Sequence, residues 1–217
     1  GTKLIDETEE WQILEKPLKL VRDQFPDILI SVDTYNSAQV MRCSDMGIHL
    51  INDISGGSWD PQMYRVMANT NMAYVMMHIQ GTPETMQKKP HYISVLDEVK
   101  TFFSRGIKKL NELNYHQIIL DPGFGFGKSM EHNYQLLAQL DDLLQLNYPV
   151  LAGLSRKSMI FKTLEITPQE ALNGTTALNM LALLKGAHIL RVHDAKEAFE
   201  TIGLYSKYKE ALENIIR

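Results

Sequence analysis

Apolar residues in this chain fall into short dense runs separated by longer stretches with helical spacing. The runs are "DILISVDT" (27–34), "IHLINDIS" (48–55), "MAYVMMHI" (72–79), "HQIILDPG" (116–123), "PVLAGLSR" (149–156) and "HILRVHD" (188–194). Each is rich in Ile, Leu, Val and Met, the pattern of parallel strands covered on both faces. Between them lie helix start signals. Asp60-Pro61 and Thr167-Pro168 pair an N-cap with proline at the first helical position. Ser94 with Asp97 resembles a capping box, and Val95, Val99, Phe102, Phe103, Gly106, Ile107 and Leu110 follow at helical spacing. Residues 171–186, "ALNGTTALNMLALLKG", read as a largely buried helix closed by glycine.

Strand–helix alternation gives a parallel sheet, either open or closed into a barrel. Polar residues help to choose. Asp33, Asn52, Asp53, His78, Asp121, Ser155, Arg191 and His193 all fall at or just past the C-terminal ends of the runs, and every run contributes. An open sheet gathers its site at one switch point, whereas a barrel turns all its strand ends to one mouth. The expected fold is therefore α/β, a (β/α)8 TIM-type barrel, in a single domain over residues 1–217. Six units in 217 residues take about 36 residues each, so eight would need roughly 290. Six of the eight units are visible.

Composition narrows the function. With 44% hydrophobic and 22% charged residues the chain is an ordinary globular one, which excludes the disordered classes. No apolar run reaches 18 residues, so no membrane span is expected. The net charge of −4 argues against nucleic acid and requires any anion site to be a local basic cluster. Cys43 is the only cysteine, which rules out a disulfide framework and suits a reducing, cytoplasmic setting.

The stretch "DPGFGFGKS" misses two familiar loops by one residue each. Gly127-Lys128-Ser129 completes half a Walker A motif whose first glycine is replaced by Pro122, and Gly123, Gly125 and Gly127 are spaced G-x-G-x-G. At the mouth, Asp33, Asn52 and Asp121 face Lys157, Arg191 and His193. Carboxylates suit a ligand edge with paired N–H donors. A guanidinium suits a flat ring or a phosphate, and Ser155-Arg156-Lys157 offers an anion site at a helix start. A flat, donor-rich heterocycle with a phosphorylated tail meets these demands. Each residue also has a bland reading. A lone strand-end Asp more often caps a turn, and His78 is more often a wall residue than a ligand. Of Met76 and Met77, one must face the interior and the other packs. Convergence from six strands is what outweighs these. A protein-held metal on Asp33, Asp53, His78, Asp121 or His193 is the weaker reading, because no metal-ligand spacing occurs.

"SVDTY", "INDISGG", "MHIQGTPETMQ", "ILDPGFGFGK", "LSRKSMI" and "GAHILRVHD" follow one another in an order and spacing that resemble the dihydropteroate synthases. These are folate-pathway transferases and sulfonamide targets, and the resemblance covers nearly all of residues 27–205. It implies a (β/α)8 barrel that joins 6-hydroxymethyl-7,8-dihydropterin pyrophosphate to p-aminobenzoate by an SN1-like displacement. It implies that Asp121 and Asn52 read the pterin edge and that Lys157 donates to its carbonyl and ring nitrogen. Asp33, Ile54, Met76 or Met77, Phe126 and Gly153 would line the pocket. Arg191 would stack on the ring and, with His193, hold the pyrophosphate. Ser155 and Arg156 would lie near the aminobenzoate. It further implies Mg2+ as cofactor, small-molecule substrates as the partners and a homodimer packed through the last helices.

The family's first two strands and their loops do not occur here, and one of those loops carries the asparagine of the magnesium site. The expectation is an N-terminally incomplete form of an active parent, with no metal ligand of its own. Two alternatives stand beside this. One is a pterin-binding methyltransferase that moves a methyl from methyltetrahydrofolate to a corrinoid. Arg191, His193 and "LSRKSM" argue against it, because a methyl donor has no pyrophosphate to hold. The other is an inactive pterin-binding fragment.

Overall fold

A computed structural model describes residues 6–82, 84–86 and 90–216. Strands and helices alternate: α1 (Glu7–Gln24), β1 (Ser31–Asp33), α2 (Ser37–Asp45), β2 (Leu50–Asp53), α3 (Met63–Met67), β3 (Ala73–Met77), α4 (Val95–Glu112) and β4 (Ile118–Asp121). There follow α5 (Met130–Ala138), a 3-10 helix (Leu140–Leu146), β5 (Leu151–Ala152), α6 (Ser158–Phe161), a second 3-10 helix (Pro168–Glu170), α7 (Leu172–Leu184), β6 (Ile189–Leu190) and α8 (Ala195–Ile216). Every strand lies inside one of the six apolar runs. The strands are shorter than the runs, which lose residues at both ends to the flanking loops while Asp33, Asn52, Asp53 and Asp121 stay in the ladder.

β1 to β4 form a parallel sheet in chain order, β5 pairs with β6 in parallel, and a bridge between Leu120 and Val150 joins the two sheets. The registers Asp33↔Asn52 and Met77↔Asp121 set the C-terminal ends of neighbouring strands side by side. Chain-order parallel pairing with helices outside is barrel construction. The six strands form an arc and not a closed barrel: no pairing joins β1 to β6 among the described residues.

Period-two alternation explains where the site sits. Val75, Ile119 and Leu151 pack together with Leu50, Ala73 and Ile189 in a small apolar layer inside the arc. Two residues further along the same strands come Asn52, Met77, Asp121, Gly153 and Arg191, and these share the inward parity. The other parity, including Ile51, Tyr74, Met76, Ile118 and Leu120, packs outward into the main core.

The helix signals had mixed outcomes. Ser94 caps α4, accepting from Asp97 N at 3.3 Å. Thr167 and Glu170 form a capping box around Pro168, but on a single 3-10 turn ahead of α7. Asp60 accepts from Gln62 N and Ser37 N, yet α3 starts only at Met63. α7 was expected to be largely buried. It buries Thr175, Asn179, Ala182 and Leu183 but exposes Leu181 and Leu184, because α6 and α8 pack it from part of its circumference. No helix among the described residues is long and apolar enough to cross a membrane.

Candidate active site

The inner polar layer opens into a cavity of about 260 Å3 lined by Asp33, Asn52, Ile54, Met77, Phe126, Gly153, Ser155, Lys157, Arg191, Val192 and His193. Its centre is Arg191, which follows β6 and reaches across the arc. Nη1 donates to Asn52 Oδ1 at 3.0 Å, and Nη2 lies 2.7 Å from Asp121 Oδ2. Asp121 is fully buried beneath the guanidinium, and its Oδ1 accepts from Gly123 N at 2.8 Å. Gly153 permits this crossing: a Cβ there would lie 2.8 Å from Arg191 Nη2.

Lys157 stands on the adjoining wall with Nζ 4.3 Å from the Phe126 ring centroid. Burial holds its amine below the ordinary lysine value, Asp121 opposes that shift and Arg191 adds to it. Ser155, nearly buried, accepts from His193 N at 3.2 Å and lies 2.8 Å from His193 Nδ1. Asp33 lines the cavity from β1.

Two expected residues are placed elsewhere. Met76 has outward parity, near Gly106 and the Tyr64 hydroxyl, so Met77 is the methionine of the mouth. Arg156 turns away, its guanidinium pairing with Asp194 at 2.8 and 3.0 Å and donating to the carbonyls of Pro168 and Gln169. Its backbone at φ 53° explains the divergence, since Ser155 faces the cavity and Arg156 is rotated out of it.

Lys128 carries a role that motif matching missed. It is 3% exposed, and Nζ lies within 3.0–3.4 Å of His78 Nδ1 and of the carbonyls of His78, Gly123 and Phe126. The glycine-rich loop thus wraps its own lysine. Burial depresses the Lys128 amine to about 7, with Asp121 opposing and Lys157 adding to the shift. Burial, then Lys128, drives His78 down to about 2, so His78 is a neutral wall residue. Tyr92 and Asn133 hold the same loop at Gly127 O and Gly125 N, both at 2.7 Å. Asp53, outside the mouth, accepts from Tyr74, Ser55 and Gly57 and braces the loop after β2. Among the described residues no three of His, Cys, Asp and Glu converge to hold a metal ion.

Comparison with known proteins identifies the family. The family model described as "Pterin binding enzyme" matches residues 1–193. The dihydropteroate synthase of Escherichia coli K12 is 38% identical over 216 residues, 99% of this chain and 76% of that protein. The Yersinia pestis dihydropteroate synthase, solved as a sulfonamide drug complex, superposes with a TM-score of 0.91 at 36% identity, covering 95% of this chain and 76% of the other. The Thermus thermophilus enzyme in complex with 6HMPPP gives 0.86 at 35% identity, covering 93% and 80%. The chain belongs to the pterin-binding enzyme family, among the dihydropteroate synthases.

Proposed function

We propose that residues 1–217 act as one pterin-binding unit in the dihydropteroate synthase reaction, joining 6-hydroxymethyl-7,8-dihydropterin pyrophosphate to p-aminobenzoate. The observation that carries this is the seat of Arg191. A guanidinium is an N–C–N array of donors. Asn52 Oδ1 accepts from it at 3.0 Å, and Asp121 Oδ2 pairs with it as an ion at 2.7 Å, its hydrogen-bond direction left unfilled. The pyrimidine edge of a pterin presents the same array, a ring N–H beside an amino group. Acceptors that fit one fit the other. Asp121 and Asn52 therefore read the pterin once Arg191 withdraws, and the freed guanidinium then covers the ring and reaches the pyrophosphate. Lys157 donates to the pterin carbonyl and ring nitrogen, while Ile54, Met77 and Phe126 supply apolar contact.

Departure of pyrophosphate breaks the methylene C–O bond, and the electron pair leaves on oxygen. The resulting cation is delocalised into the ring and stabilised by the carboxylates of Asp33 and Asp121. Arg191 and His193 hold the leaving anion. The aminobenzoate nitrogen then donates its lone pair to form C–N, and the surplus proton passes to solvent. Ser155, 2.8 Å from His193 Nδ1, lies on the aminobenzoate side. Magnesium accompanies pyrophosphate chemistry of this kind, but the described residues do not build a site for it, and no step here runs through it. The setting is cytoplasmic, which suits Cys43, free and buried. The working form is a homodimer packed through α7 and α8, whose outer faces carry Leu181, Leu184, Phe199, Leu204 and Ile215.

The test is Asp121→Asn, titrated with a pterin and assayed for turnover. Affinity should weaken by about 1–3 kcal/mol, the scale of hydrogen bonds to a charged group. Unchanged affinity in a folded variant would sink the assignment.

A further inference from the structure

A second cavity, about 770 Å3 against about 260 Å3 at the mouth, lies outside the arc along α4. Asp97, Glu98, Phe102, Arg105 and Lys109 line it at helical spacing, so one face of α4 forms its wall. Charge is sorted along that wall. The two carboxylates stand in the first turn, and the cations begin about 12 Å further along at 1.5 Å per residue. The Phe102 ring lies between them. Arg105, Lys109 and the Asp97 carboxylate have no partner among the described residues.

The deep wall adds an independent sign. His78 contributes to the lining and is 6% exposed. Its Nδ1 lies 3.0 Å from Lys128 Nζ, and with Lys128 as an ammonium donor the ring carries its proton on Nε2. Nε2 is not among the sealed, unpartnered atoms, and it takes part in the cavity lining through His78. His78 therefore adds a polar ring edge to the deep wall, opposite the charged face of α4.

We propose that this trough binds a flat, elongated molecule with paired N–H donors at one end and a carboxylate at the other. Asp97 and Glu98 accept from the donor edge, and Glu98 also keeps its bond from Ile93 N at 2.9 Å. Phe102 stacks on the aromatic middle, Arg105 and Lys109 hold the carboxylate, and His78 Nε2–H donates to a ring heteroatom. A pterin joined to a benzoate has this form, so the trough is a second site for the product class. In that respect the inference rests on the reaction proposed above.

Calorimetric titration of the full chain with pteroic acid tests it. The parent should show two classes of site, one at the mouth and one at the trough. Arg105→Ala with Lys109→Ala, both exposed positions, should weaken the trough class by about tenfold or more and spare the mouth. Asp121→Asn should do the reverse. Two classes untouched by the double substitution, or a single class abolished by Asp121→Asn, overturn the trough. A single class abolished only by the double substitution supports the trough and removes the mouth reading instead.

Discussion

His78 and Lys128 form a buried pair in which neither residue touches the mouth, yet both set its geometry. Their hydrogen bond ties the end of β3 to the loop after β4, and that loop delivers Phe126 to the cavity. The pair also has a pH signature. His78 has a folded value of about 2 against an ordinary 6.5, so between these limits the unfolded chain binds the extra proton. Its contribution is fully present above pH 6.5 and is lost as the pH falls, by up to about 1.4 kcal/mol per pH unit. His78→Gln keeps an acceptor for Lys128 but removes the titration. Unfolding free energies from urea titrations at about pH 5 and about pH 7 should therefore differ less in the variant, by roughly 1–2 kcal/mol. An undiminished difference would show that other groups drive the acid limb. Residues such as Asp33, Asn52 and Asp121 were legible in sequence because they end apolar runs at a common parity. Lys128 was not, because its acceptors are backbone carbonyls and a histidine 50 positions earlier. The turning away of Arg156 was hidden for a similar reason, as Asp194 lies 38 positions downstream.

At the scale of elements, the loop after β4 behaves as a packed structure. Gly123 has φ 68°, a left-handed conformation, and a Cβ there would run into the carbonyl oxygen of His78. Gly47, at the same φ of 68°, has nothing within 4 Å of its Cβ position. The two separate backbone strain from packing. Gly47→Ala should cost about 1–2 kcal/mol, the price of left-handed geometry for alanine. Gly123→Ala should cost roughly 3 kcal/mol or more, because backbone must also shift. Denaturant midpoints of the two variants decide, and equal losses would contradict a tightly packed loop. The sequence marked this loop by its glycines but offered two wrong templates for it. The missing information was the lysine inside: the loop turns its carbonyls onto an amine, the reverse of a phosphate cradle. Helix existence was legible from caps and spacing. The sidedness of α7 was not, since a uniformly apolar helix does not announce which face its neighbours leave open.

At the scale of the molecule, α8 exposes Phe199, Leu204 and Ile215 beside the open face of α7. Apolar residues exposed along one helix pair are what a second copy would cover. Sedimentation should find a dimer, and Phe199→Glu with Leu204→Glu should shift it to monomer while leaving the circular dichroism unchanged. A parent that sediments as a monomer removes the dimer from the proposal. The six-stranded arc stays cross-braced from inside, where Arg191 spans from β6 to Asn52 on β2 and Asp121 on β4.

The sequence by itself determined the six strands, their parallel order, the mouth at their C-terminal ends and the family, because these follow from periodicity and from long local motifs. Only the tertiary structure decided which methionine faces inward, that Arg156 belongs to Asp194, that Lys128 is enclosed by its own loop and that Arg191 occupies the acceptors offered by Asn52 and Asp121. The physical reason is common to all four. Each depends on contacts between residues far apart in the chain or on the turn of one backbone position, and one-dimensional spacing carries neither.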